Sequence, residues 1–245
     1  MLIFKKIIHK FLLFFNYSLR NNNLDYFPIE KNNFEKKIIK NALNYSMTNS
    51  VRMSCLLDAF KYVVKNKIKG DFVECGVWKG GNLILLQNLI EKYSITGRKI
   101  YAYDTFSGMS KFGKIDYNNN SVHASVLLKE NKDTLCYSSL EEVKSNFYSN
   151  TKFNNNLITI VGRVEDTLKK KLPKKISILR LDTDYYSSTK IELEKLWPRL
   201  TKGGVLIIDD YGYWKGCRKA VDEFFYKKYP FLIHIDETCR LIIKK

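Results

Sequence analysis

The chain has 245 residues, 45% of them apolar and 27% charged, with Lys plus Arg exceeding Asp plus Glu by 17. That length and apolar share build one large soluble domain and exclude a disordered chain. Five cysteines without a CxxC pair and three scattered histidines exclude a disulfide scaffold and a zinc or His-rich metal centre, and they suit a reducing cytoplasm. The basic excess is mostly lysine spread along the chain. With the abundance of Asn and Ile it reads as coding bias, and no nucleic-acid module is present, so no nucleic-acid partner is expected.

In the opening MLIFKKIIHKFLLFFNYSLR, apolar residues at 3, 4, 7, 8, 11, 12, 14 and 15 alternate with Lys5, Lys6 and Lys10, which predicts an amphipathic helix. Its longest apolar run, Phe11 to Phe15, is too short for a signal peptide or a bilayer span. Such a helix docks on the body of the protein or on a second copy, and a homo-oligomer is expected. Peripheral contact with the inner face of the membrane is the alternative. Residues 1–45 are assigned to this extension and 46–245 to the main domain.

A polar connection with a short helix near Asn33 to Leu43 follows. Cys55, Leu56, Ala59, Phe60, Val63 and Val64 then recur at helical spacing until Lys69-Gly70 stops the pattern. Predicted strands at 71–75, 99–103, 157–161, 176–181 and 204–208 alternate with predicted helices at 80–93, 139–149, 164–170, 187–196 and 215–228. Strands at 231–235 and 239–243 close the chain as an antiparallel edge hairpin. This order specifies an α/β fold, a mainly parallel sheet with helices on both faces. Residues 105–138 are too long for an ordinary strand-to-helix link, and 107–138 are expected to form a substrate lid.

Open parallel sheets bind ligands at the carboxyl ends of their strands. Those ends carry Glu74-Cys75-Gly76, Asp104, Gly162, Asp182 with Asp184, and Asp209 with Asp210. Acids converging on one crevice suit a cation and a polyhydroxyl ligand. The turn ECGVWKGGN (74–82) offers free helix-start amides but lacks the GxGxxG spacing, and Asp104 stands where an acid accepts ribose hydroxyls.

In order along residues 45–226, the segments MTNSVR, GDFVECGVWKGGN, YAYDTFSGM, GRVEDTL and LRLDTDYYSSTKIELEKLWPRLTKGGVLIIDDYGYWKGCRKAVDEFF resemble the macrocin O-methyltransferase family. These are magnesium-assisted sugar methyltransferases dependent on S-adenosylmethionine. The resemblance implies a class I methyltransferase fold, with a seven-stranded sheet whose last strand is antiparallel. It implies that Glu74, Cys75, Gly76, Val77, Gly81 and Asn82, with Thr48, hold the methionine part of the cofactor. Asp104, next to Thr105, would hold the ribose, and Gly162 to Val164 would flank the adenine. Asn82 stands where the family pattern has Ser, which keeps a polar group there.

Asp182 and the pair Asp209-Asp210 end two strands expected side by side, about 4.8 Å apart. Three carboxylates at that spacing suit Mg²⁺, which lowers the pKa of an alcohol and fixes its oxygen. In an extended segment Asp182 and Asp184 point to one face. Asp184 is therefore assigned as the base and Asp182 as a ligand, with the reverse division left open. Tyr185, Tyr186, Tyr211, Tyr213 and Trp214 either stack on a sugar or pack as core. The acceptor is expected to be a sugar or glycan hydroxyl, in surface-glycan or natural-product biosynthesis. Two other readings compete: a metal-dependent nucleotide-sugar glycosyltransferase using the DTD triplet, and a basic scaffold for polyanions.

Overall fold

The computed structural model describes residues 27–130, 136–152 and 155–245, so the helix expected in the first 20 residues lies outside the described residues. Helices α1 (Asn33–Leu43) and α2 (Ser50–Lys65) lead into the sheet. Strand β1 (Asp71–Cys75), helix α3 (Gly81–Lys92) and strand β2 (Ile100–Asp104) follow. Next come α4 (Ala124–Glu130), α5 (Leu140–Ser149), β3 (Leu157–Val161), α6 (Val164–Thr167) and β4 (Ile176–Leu181). The chain continues through α7 (Tyr186–Leu196), β5 (Leu200–Ile208), α8 (Lys215–Phe225), β6 (Ile233–His234) and β7 (Arg240–Ile243).

The seven strands form one sheet in the order β3-β2-β1-β4-β5-β7-β6, with β7 antiparallel to both of its neighbours. The parallel strands are apolar because helices cover both of their faces. Alternate residues feed opposite cores: Phe72, Ile178 and Ile207 face α1, α2 and α3, whereas Val73, Leu179, Leu181 and Leu206 face α6, α7 and α8. Every residue of β4 is buried, Arg180 included.

Helix starts fix the approach to the site. Asn32 and Glu35 form a reciprocal capping box on α1, and Asn49 accepts from the amide of Arg52 (2.9 Å) at the start of α2. That cap holds Arg52 at the sheet's carboxyl edge. The helix expected at 215–228 ends at Phe225, and the strand expected at 231–235 shrinks to Ile233–His234 after Pro230, which has no amide proton for a ladder.

Candidate active site

Gly76 follows β1 with φ +79°, and a Cβ there would lie 2.0 Å from the carbonyl oxygen of Asp182, so only glycine passes the end of β4 this closely. Asp104 closes the same turn. Its Oδ2 accepts from the amides of Val77 (2.7 Å) and Trp78 (3.3 Å), and its Oδ1 from Phe106 (2.8 Å). Burial raises the Asp104 pKa while these amides lower it.

Glu74 is buried behind the turn. Its Oε1 accepts from Asn82 Nδ2 and Arg180 Nη1, both at 2.8 Å, whereas Oε2 has no partner. Burial pushes the Glu74 carboxyl up to about 7 against the pull of Arg180 and Asn82. Thr48 Oγ1 is also buried without a partner in the same cleft. Unpartnered buried polar atoms are costly in a closed core and serviceable where a ligand brings the missing donor or acceptor.

Asp182, Asp209 and Asp210 each present a carboxylate oxygen within 4.8 Å of the others. Parallel pairing of β4 with β5 sets Leu181 beside Ile208, which places the acids after both strands together. The sequence left their counter-ions unseen. Arg180 donates to Glu74, to Asp182 Oδ2 (2.7 Å) and to Asp209 Oδ1 (2.5 Å), and Arg52 pairs with the second oxygen of Asp209. Burial alone lowers the Arg180 pKa, but Asp182, Asp209 and Glu74 outweigh it and raise it. The one available signal was an arginine inside a mostly apolar strand.

Asp184 departs from the extended geometry expected of the DTD segment. Its φ is +68°, a left-handed conformation that aspartate tolerates and that turns the chain into α7. The shared-face argument for Asp182 and Asp184 therefore fails, although both line the cleft. Trp214 Nε1 donates to Asp184 Oδ1 at 2.8 Å. Burial and then repulsion from Asp182 push the Asp184 carboxyl up to about 8. Burial and the acids Asp184, Asp182 and Asp209 raise Asp210 well above the usual range, and its Oδ2 has no partner. Burial also brings Asp209 up to about 6 against the attraction of Arg180. Five acids, Glu74, Asp182, Asp184, Asp209 and Asp210, thus meet two guanidiniums, and without a further cation burial and mutual repulsion drive Glu74, Asp184 and Asp210 toward their protonated forms.

The cleft gathers Thr48, Glu74, Gly76, Val77, Asn82, Asp104, Thr105, Gly162, Val164 and the four aspartates. Two of the residues expected there stand behind it. The side chain of Cys75 packs in the core, and Gly81 N bonds to Tyr45 O (2.9 Å) beneath the link from α1 to α2. Of the aromatic cluster, Tyr185 and Trp214 are buried edge to face at 5.2 Å, and none of the five lines the cleft. The insertion after β2 contributes Gly108, Met109, Ser110 and Cys136 to the cleft. Its middle is fastened down, because buried Asp116 accepts from the amide of Tyr186 (2.9 Å) at the start of α7.

Residues 5–242 match the family described as Macrocin-O-methyltransferase (TylF). The chain is similar to the 8-demethyl-8-(2,3-dimethoxy-alpha-L-rhamnosyl)-tetracenomycin-C 4'-O-methyltransferase of Streptomyces olivaceus, 32% identical over 75% of this chain and 68% of that protein. It is 31% identical to the demethyldecarbamoylnovobiocin O-methyltransferase of Streptomyces niveus, over 74% of this chain and 67% of that protein. Its fold is similar to the solved O-methyltransferase NovP, with a TM-score of 0.74 and 28% identity over 82% of both chains. The glycosyltransferase and scaffold readings fall with these matches. A sheet with the seventh strand reversed, a glycine turn closed by Asp104 and a match spanning nearly the whole length make this chain an S-adenosylmethionine-dependent O-methyltransferase of the macrocin O-methyltransferase family.

Proposed function

We propose that the enzyme methylates a sugar hydroxyl with the help of a hard divalent cation. The observation that carries this reading is the Asp182, Asp209 and Asp210 cluster beside Asp184, in the same cleft as the Glu74 turn. An all-carboxylate donor set, with Asp210 Oδ2 unpartnered and more carboxyls than guanidiniums in the cleft, fits Mg²⁺. Glu74 Oε2 and Thr48 Oγ1 fit the ammonium and carboxylate of the methionine part of the cofactor. When bound, the cofactor supplies a sulfonium-activated methyl group, and the cation acidifies and fixes a hydroxyl.

The protein's own part is positional and protonic. Trp214 orients Asp184, which accepts the proton of the acceptor hydroxyl, while Asp104 keeps the turn closed around the nucleoside. Arg180 and Arg52 hold Asp209 and spare the site the full repulsion of its acids. Relatives named for methylating rhamnosyl and novobiocin-type compounds support a sugar-bearing acceptor, whether a glycosylated natural product or a surface-glycan precursor.

The test is methyl transfer from labelled S-adenosylmethionine to a panel of nucleotide sugars and deoxysugar glycosides, with and without EDTA. Label should enter a sugar, stop with chelation and return with Mg²⁺. Full turnover in a metal-free preparation would overturn the cation's role, and label confined to non-sugar phenols would overturn the sugar.

A further inference from the structure

Folding gathers part of the basic excess that looked dispersed along the sequence. The acids of the site stand at the carboxyl ends of the strands, and the turns entering the opposite ends carry exposed lysines. Lys67 and Lys69 precede β1, Lys174 and Lys175 precede β4, and Lys227 and Lys228 precede β6. The turns before β1, β4 and β5 are neighbours, with the end of β7 beside them. Asp71 N bonds to Lys175 O (2.9 Å), Thr201 Oγ1 to Lys69 O (2.7 Å) and Gly203 N to Lys244 O (2.6 Å). Among the described residues none of the six lysines forms an ion pair. Burial and then the charge of Lys228 lower the Lys244 pKa, as expected of an edge where like charges crowd.

The same edge exposes aromatic rings. In the turn YKKYPF after α8, Tyr226 is 72% exposed, Tyr229 86% and Phe231 81%. Phe225, one residue earlier, takes the core contact instead, packing on Trp197 at 4.8 Å. Three large rings interleaved with two lysines are thus left outside the fold.

We propose that this edge docks on an anionic bilayer surface, with Tyr226, Tyr229 and Phe231 entering the headgroup boundary and the surrounding lysines facing lipid phosphates. Aromatic rings favour the membrane interface, and lysine is a flexible point charge that follows a fluid anionic surface. A second copy of the chain is disfavoured, because two such edges repel. Nucleic acid is disfavoured by the scarcity of arginine forks, which phosphate and base recognition use. Docked this way, the enzyme turns its cleft toward the aqueous phase. The proposal does not depend on which hydroxyl is methylated.

The test is co-sedimentation of the full chain with vesicles of phosphatidylcholine alone and of phosphatidylcholine mixed with phosphatidylglycerol. The parent should bind only the anionic vesicles. Lys227→Glu with Lys228→Glu should weaken binding about tenfold or more. Tyr226→Ser with Tyr229→Ser and Phe231→Ser should abolish the binding that persists in high salt. Both variants should keep parental methyl transfer, which also reports their folding, and Lys111→Glu with Lys114→Glu, in the insertion on the cleft side, should bind vesicles like the parent. A parent that ignores anionic vesicles, variants of the 226–231 turn that bind like the parent, or a single-stranded nucleic acid that displaces the parent from vesicles would each overturn the proposal.

Discussion

Asp184 combines a left-handed backbone, an indole donor and a crowd of acids, and each leaves a measurable trace. Asp184→Asn keeps the size and the Trp214 bond but cannot take a proton, so kcat should fall about 10²–10⁴-fold with cofactor affinity nearly unchanged. Wild-type turnover, or rescue by excess Mg²⁺, would move the base elsewhere. Burial first and Asp182 next raise this carboxyl to about 8 without a cation, so at limiting Mg²⁺ the parental rate should climb as pH rises toward 8. The sign for stability is opposite. A carboxyl raised on folding stabilises below its unfolded value near 4 and loses that contribution as pH rises through about 8. The Asn variant should therefore melt higher than the metal-free parent above about pH 8 and show little gain near pH 5. At this scale the acids were legible, because a carboxylate after an apolar run needs a reason. Arg180 and Arg52 were not, because their charge partners lie up to 184 positions away and only folding pairs them.

The glycine turn after β1 is where one element meets another with no room to spare. Gly76→Ala must add a Cβ 2.0 Å from the Asp182 carbonyl at φ +79°, so the ends of β1 and β4 separate or the turn rotates. Either outcome should cost about 1–3 kcal/mol in denaturant unfolding and weaken S-adenosylmethionine binding in calorimetry. An alanine variant with parental stability and affinity would show that the turn relaxes freely. The five parallel strands were legible from apolar runs bounded by turn residues, and the closing hairpin from its short link. Helix α4 was missed because ASVLLKE is a single short run inside a polar insertion, too brief for periodicity to register. The anchoring of that insertion by Asp116 had no local mark, since an acid in a polar loop looks solvated until α7 supplies its amide.

Across the whole molecule, the site's carboxylates and the lysines of the turns entering β1, β4 and β6 occupy opposite ends of the strands, which no linear reading of charge conveys. One joint spans the fold from early to late sequence. Arg52 on α2 donates to Asp236 through Nε (2.6 Å) and to Thr238 Oγ1 (2.5 Å) in the turn between β6 and β7, while also gripping Asp209. Burial raises the Asp236 carboxyl, but bonds from Arg52, the Cys239 amide and Asn49 outweigh it and hold it well below the usual range. A carboxyl depressed on folding stabilises above its unfolded value near 4, and that contribution is lost as pH falls through the folded value. Asp236→Asn should cost about 1 kcal/mol at neutral pH, a figure discounted for partial exposure, and the gap to the parent should narrow once the pH drops below about 4. An equal gap at neutral and acid pH would mean that charge plays no part in the joint.

The order of synthesis gives this joint a further meaning. β7 is made after β6 yet lies between β5 and β6 in the sheet, so the ribosome must deliver the turn at Asp236 before the clamp on Arg52 can close. Until then Asp209 keeps Arg180 from β4, while Arg52 stands on a helix that the turn between β6 and β7 does not yet pin. A nascent chain can fold its parallel core and the Arg180 cluster early, but the Arg52 clamp closes only when the turn between β6 and β7 arrives.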